Sequence, residues 1–137
     1  FACAGIPYLP VDIVAAEDCT VMFLNGKTLL NTCDNSCTFH HTLIRNLLGI
    51  VAQKNMYLNQ KIKYTSRKTT REKLMAYLTD QAKLKRSNDF TIPFNRQELA
   101  DYLGVERSAM SAELGKLTKL GILRTQRSHF TLLKPLD

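Results

Sequence analysis

At 137 residues the chain has room for one or two small domains, and its 45% apolar share is ordinary for a globular protein. No apolar run reaches the roughly 20 residues of a membrane span, and no signal peptide opens the chain. The formal net charge of +7 is uneven: residues 1–60 carry three Lys/Arg against four Asp/Glu, and residues 61–137 carry sixteen against eight. A polyanionic partner for the second half suits that asymmetry, because Lys and Arg gain by releasing counterions condensed on phosphates. A membrane surface is the competing acceptor, but there is no basic amphipathic helix with a broad apolar face and no lipid anchor. The expected location is the cytoplasm, in association with the nucleoid.

In chain order, Val11 to Ala15 and Thr20 to Leu24 read as two short strands about the acidic turn Ala16-Glu17-Asp18. Two strands cannot bury their own faces in water. The reading for residues 1–36 is therefore the truncated end of a larger β domain. Cys33 and Cys37, with His40 close behind, form a C-x3-C-x2-H pattern that could offer thiolate and imidazole to zinc or an iron–sulfur centre. The spacing is loose and a fourth ligand is not obvious. The plainer reading makes them reduced thiols at a helix start, with Cys3 and Cys19 as core thiols, and no cofactor is expected.

Residues 37–64 read as one long helix. Ile44, Leu48, Val51, Asn55, Leu58 and Ile62 step by four and three residues alternately, the pattern of a coiled-coil seam. Asn55 near its centre can pair with its counterpart across a two-fold axis and fix register. Leu43, Leu47 and Ile50 form a second stripe that could pack on the β segment. The alternative is that the whole apolar surface is intramolecular core. Thr65 to Thr70, TSRKTT, reads as a polar basic hinge. Thr69 and Glu72 then make a capping box that starts a helix running through about Lys85, with Leu74, Tyr77, Leu78 and Ala82 inward.

Phe90 to Phe94 reads as a short strand, with Pro93 suited to an edge. Asn95 to Gly121, NRQELADYLGVERSAMSAELGKLTKLG, reads as a helix-turn-helix. Asn95 and Glu98 form a capping box, and Leu99, Ala100 and Leu103 an apolar face. Gly104 permits the tight turn, Val105 plugs the gap, and the second helix turns Met110, Leu114 and Leu117 inward before Gly121 at C′. Arg107, Ser108, Ser111 and Ala112 are left facing outward on its first turns, which enter the DNA major groove in such motifs. Ile122 to Lys134 reads as two short strands around the turn Gln126-Arg127-Ser128-His129. A helix pair flanked by strands with a following hairpin is a winged helix. The expected fold class is α+β, mainly α: a β-roll remnant (1–36), a dimerisation helix (37–64) and a winged helix-turn-helix domain (65–137). There is no Gly-rich phosphate loop, nucleophile elbow or HExxH, so no enzyme is read.

KTTREKLMAYL and IPFNRQELADYLGVERSAMSAELGKLTKLGIL resemble the C-terminal domain of the Crp–Fnr family of bacterial transcription regulators. PVDIVAAEDCTVMFLN and FHHTLIRNLLGIVAQKN resemble the same family's last β-roll strands and dimer helix. The resemblance implies a homodimer on a two-fold double-stranded DNA site, activating or repressing transcription, with RNA polymerase as a further partner. It places an effector in the β-roll, most of which is missing here. The family's base-reading positions fall on Arg107, Ser108, Ser111 and Ala112. Arg107 can donate bidentately to guanine, whereas Ala112 stands where many members carry an arginine and can only touch a thymine methyl. Candidate phosphate contacts, at helix starts and the wing tip, are Thr70, Arg96, Gln97, Lys116, Arg127, Ser128 and His129. Members that bind cyclic AMP clamp its phosphate with an Arg-Ser pair where this chain has Leu9-Pro10, so no cyclic-nucleotide binding is expected. Two other readings stand beside this one: a dimeric winged helix that binds protein, and a redox sensor using Cys33 and Cys37. Binding to DNA would fall steeply with salt; an apolar protein interface would not.

Overall fold

The computed structural model describes residues 12–25 and 38–133. Among them, four helices and three strands follow in order: α1 (Thr38–Thr65), α2 (Thr70–Lys85), β1 (Asp89–Thr91), α3 (Arg96–Leu103), α4 (Arg107–Lys119), β2 (Leu123–Gln126) and β3 (His129–Leu132). The chain divides into two compact units, Phe1–Lys54 and Asn55–Asp137.

In the first unit, residues 12–25 are irregular and exposed throughout, with a bend at Ala16-Glu17. The strands expected at Val11–Ala15 and Thr20–Leu24 therefore do not form over these residues; Val11 itself lies outside the described part. A strand exists only against a neighbouring strand, and the three strands present pair with one another from Asp89 onward. Cys19, expected in a core, is a free and exposed thiol on this same irregular segment. The α1 residues of this unit split by face. Leu43, Ile44 and Leu47 are half-buried, and Leu48, Ile50 and Val51 are exposed.

The second unit is built on one core drawn from every element. Leu74 and Leu78 of α2, Leu99, Ala100 and Leu103 of α3, Met110 and Leu117 of α4, Leu123 of β2 and Phe130 of β3 are all fully enclosed. The strands form an antiparallel sheet in the order β1-β3-β2. Phe90 lies opposite Phe130 and the two rings stack at 6.3 Å, while Thr125 of β2 faces Phe130 from the other side. Alternation does the rest: Phe90, Leu123, Phe130 and Leu132 face inward, and Asp89, Arg124, Gln126 and His129 outward.

Side chains written into the sequence close the helix ends. Thr69 and Glu72 form a reciprocal capping box at the start of α2, and Asn95 and Glu98 another at the start of α3. The turn after α3 places Gly104 at φ 60°, where a Cβ would be strained, and Lys73 of α2 donates to its carbonyl at 3.3 Å. After α4, Gly121 and Ile122 donate back to Thr118 and Leu117, which completes a Schellman motif.

At the end of α2 the same motif carries an arginine where glycine is usual. Arg86 sits at φ 52°, with Arg86 and Ser87 donating to Lys83 and Ala82. A left-handed residue with a Cβ is strained. Arg86→Gly is therefore expected to raise unfolding free energy by roughly 0.5–1 kcal/mol, net of the entropy glycine returns to the unfolded chain. Urea denaturation at constant m-value checks it; an unchanged or lowered midpoint would mean the arginine side chain stabilises the turn.

The last turns of α1 belong to this second core. Tyr64 is 2% exposed and packs edge-on against Tyr77 at 5.5 Å, with Tyr102 at 6.2 Å. Tyr102 also meets Tyr57 at 5.9 Å and stacks on Phe94 at 5.0 Å. The Tyr64 hydroxyl donates to Asp80 Oδ2 at 3.0 Å, and Lys63 pairs with the same oxygen. Residues after Thr65 turn directly into α2, with Ser66 and Arg67 donating to Ile62 and Tyr64.

This aromatic cluster makes a pH prediction. Burial pushes the hydroxyls of Tyr64, Tyr77 and Tyr102 above the ordinary phenol range; the bond to Asp80 adds to it at Tyr64 and the neighbouring Tyr102 at Tyr77. Unfolded tyrosines ionise near about 10. Above that pH the unfolded chain holds fewer protons than the folded one, so stability from these groups is full below about pH 10 and lost as pH rises further. The melting temperature should fall across that range, and phenolate absorbance from the three buried rings should appear only with unfolding. Their ionisation within an intact fold would contradict the burial argument.

Candidate nucleic-acid interface

Helix α4 begins at Arg107 and carries Arg107, Ser108, Ser111 and Ala112 on its exposed face, while Met110, Leu114 and Leu117 hold the opposite face in the core. This follows from helical spacing: residues three and four apart share a face. The four residues expected to read bases are thus all accessible on the first turns of one helix. Lys116, further along, pairs with Glu113 at 3.3 Å and is exposed.

The start of α4 holds a residue that the sequence reading did not single out. Glu106 is the N-cap, and its side chain accepts from the Ala109 amide at 3.0 Å. The Ser108 hydroxyl donates to the same carboxylate. These hydrogen bonds, Ser108 first, hold its carboxyl below the usual range. Glutamate is an uncommon N-cap compared with Ser, Thr, Asp or Asn. The available signal was the loop position directly after Val105 and before an uncapped helical run.

A groove of about 410 Å³ gathers three separate elements: Asn95, Arg96 and Gln97 from the start of α3, Arg107 from the start of α4, and Arg127 and Ser128 from the wing turn. The turn is a two-residue connection, since Gln126 pairs with His129. Arg127 adopts φ 52° there. Ser128 is fastened on both sides: its hydroxyl donates to the Phe94 carbonyl at 2.9 Å and its own carbonyl accepts from the Ile92 amide at 3.0 Å. Of the residues expected to meet phosphates, Arg96, Gln97, Arg127 and Ser128 therefore line one concavity with Arg107. Thr70, at the start of α2, and Lys116 do not line it.

Besides Ser128, other residues expected to meet phosphates are engaged within the fold. His129 meets Asp89 through Nε2 and Thr91 Oγ1 through Nδ1 at 3.1 Å, so it ties β3 to β1. Arg96 turns under the wing. Its Nη2 donates to Thr125 Oγ1 at 2.6 Å, its guanidinium lies 5.0 Å over the Phe130 ring, and Nη1 is buried without a partner. Burial lowers its pKa from the usual arginine range. Gln97 is partly engaged as well, donating from its side chain to Asp101 at 2.9 Å.

No group of three or more metal-ligating side chains occurs among the described residues. Cys33 and Cys37, the weak metal candidates, lie outside those residues; His40 is the second residue after the start of α1. Among the described residues, no helix is long and apolar enough to cross a membrane.

Residues 72–136 match the family described as the Crp-like helix-turn-helix domain. Over those residues the chain carries a Crp-like helix-turn-helix domain. Such domains are DNA readers and not enzymes. Among solved structures, the chain is similar to FixK2 from Bradyrhizobium japonicum, with 20% identity over 81% of this chain and 55% of that one, at a TM-score of 0.58. It is also similar to a transcriptional regulator of the Crp/Fnr family from Eubacterium rectale, with 16% identity, 73% and 44% coverage and a TM-score of 0.46. The reduced CO-sensing protein from R. rubrum matches with 18% identity, 72% and 47% coverage and a TM-score of 0.35. The chain spans about half the length of these proteins. No curated protein matches it. The winged helix-turn-helix architecture read from the residues is the one found.

Proposed function

We propose that the protein is a homodimeric transcription regulator that reads an inverted repeat in double-stranded DNA. Arg107, Ser108, Ser111 and Ala112 face base edges in the major groove, and Arg127, with the starts of α2, α3 and the wing, meets the flanking phosphates. The observation that carries this reading is the single groove between α3, α4 and the wing, whose basic residues come from segments far apart in sequence. Within it, Arg107 stands at the exposed start of the recognition helix, where a bidentate donor to guanine is geometrically free. The partner polyanion matches the net charge of the second half.

Dimerisation is assigned to α1. Leu48, Val51, Leu58 and Ile62 are between 55% and 64% exposed in the single chain, a row of aliphatic side chains that water disfavours. Ile44 is half-buried, and Asn55 accepts from Asn59 at 2.8 Å on the same helix. Leu58→Glu is expected to give a monomer by sedimentation while leaving the winged-helix core intact. We assign residues 1–36 to an effector domain, 37–64 to the dimer helix and 65–137 to the DNA reader. An effector changes how two α1 helices meet, and the separation of the two recognition helices changes with it. The protein acts in the cytoplasm, on the nucleoid, and RNA polymerase is its expected downstream partner.

Selection of bound duplexes from a random pool tests this. The expected result is enrichment of an inverted repeat whose half-sites are separated by about one helical turn. No enrichment at low salt from a folded dimer would overturn it in favour of a protein-binding winged helix.

A further inference from the structure

The wing of a winged helix is a short hairpin with little core of its own, and its usefulness depends on where its tip is held. Here Ser128 fastens the turn to Phe94 and Ile92, and one cationic side chain supports the hairpin from the side of α3. The Arg96 guanidinium reaches from the start of α3 to the inner face of the β2–β3 hairpin, hydrogen-bonded to Thr125 and lying over the Phe130 ring. Arg and a ring face attract through the ring quadrupole, and the attraction grows when the pair is removed from water. The planar fork satisfies the ring and the hydroxyl together, which a lysine cannot do. Arg127, in the turn of the same hairpin, lines the groove together with Arg96.

We infer that Arg96 is a positioning residue for the wing and not a phosphate contact: it sets the hairpin against α3 so that Arg127 reaches the DNA backbone. The inference rests on the proposed DNA-reading function for its consequence, and on the Arg96–Thr125–Phe130 geometry for its cause. A surface arginine free to meet phosphate would be expected to extend into solvent. This one is folded inward, and its Nη1 is buried without a partner.

The test is a double-substitution cycle on the intact protein, measured as affinity for its selected duplex at several salt concentrations. Arg96→Lys and Arg96→Met are each expected to weaken binding by about tenfold, the lysine giving no rescue. Arg127→Ala is expected to weaken binding about tenfold alone but less than about twofold in the Arg96→Met background, because the wing tip is already misplaced. Thr125→Val, which keeps the Arg96 charge and suits a strand, is expected to reproduce part of the Arg96→Met effect. Near-normal affinity for Arg96→Lys, with a salt slope reduced by about one in Arg96→Met, would instead identify a phosphate contact and overturn the inference. So would strict additivity with Arg127→Ala. Hydrogen exchange of the His129–Leu132 amides without DNA separates this from the function itself. Faster exchange in Arg96→Met and Thr125→Val is expected whether or not the wild-type protein binds DNA. Unchanged exchange overturns the positioning role.

Discussion

Replacing Arg107 by alanine should sharply reduce sequence preference, most at the base pair it meets, while leaving a folded, DNA-associating protein. The side chain is exposed at the first position of α4, where the proposed function has it read a guanine edge with two parallel hydrogen bonds. Each such contact is worth about 1–3 kcal/mol, and a dimer makes it in both half-sites, so the expected loss is about 2–6 kcal/mol in specific affinity. Salt-dependent, non-specific binding should change much less, since the other cations are untouched. Titration of the selected duplex and of an unrelated duplex at matched salt checks both halves. Equal losses on both would mean that Arg107 meets a phosphate and reads nothing.

Tyr64→Ala should cost about 3–5 kcal/mol of stability in the winged-helix unit, the usual loss for a large buried aromatic. That is a large share of the 5–15 kcal/mol that holds a typical domain together. Its ring is enclosed by Tyr77 and Tyr102, and its hydroxyl is bonded to Asp80. Tyr64→Phe removes only the hydrogen bond, and Lys63 still pairs with Asp80, so about 0.5–1.5 kcal/mol is expected there. Chemical denaturation of the two variants checks the contrast. A fragment beginning at Ser66 should behave like the alanine variant or worse, because it removes Tyr57 and Tyr64 together; one beginning at Asn55 should retain the stability of the unit. Equal stability of the two fragments would show that the end of α1 adds nothing to the core.

The elements that could be read from the residues are those specified locally. Both capping boxes are where Thr69-Glu72 and Asn95-Glu98 place them, and Gly104 and Gly121 take the left-handed conformations their turns need. The inward residues of α3 and α4 follow from spacing alone, as do the exposed Arg107, Ser108, Ser111 and Ala112. Pairings between distant segments were not readable. Tyr57, Tyr64, Tyr77 and Tyr102 lie on three helices, and no local pattern states that their rings converge. Sequence alone points Arg96 and His129 outward, because a basic side chain at a helix start or wing tip is normally solvated. Their partners, Thr125 with Phe130 and Asp89 with Thr91, stand about thirty to forty residues away in sequence and enter only through the register of the sheet. At Val11–Ala15 and Thr20–Leu24 the short apolar runs that suggest strands are present, but such a run alone does not supply the neighbouring strand that a ladder requires.

The carboxylate cap on α4 has a consequence for how such a protein would search a genome. The start of a recognition helix is electropositive, and most caps leave that attraction for phosphate intact. Glu106 places a negative charge at that point, fully exposed and held ionised by the Ser108 and Ala109 bonds. In the proposed DNA-reading role, approach to any duplex would then be penalised alike, whatever its sequence. The penalty is relieved only where a base offers a donor in its place, as the cytosine amino group does. Since bulk DNA presents millions of competing sites, weakening by one factor all those that lack such a donor would free protein for its target. Discrimination of this kind would come from a repulsion that one sequence cancels, and it would fade as salt screens it.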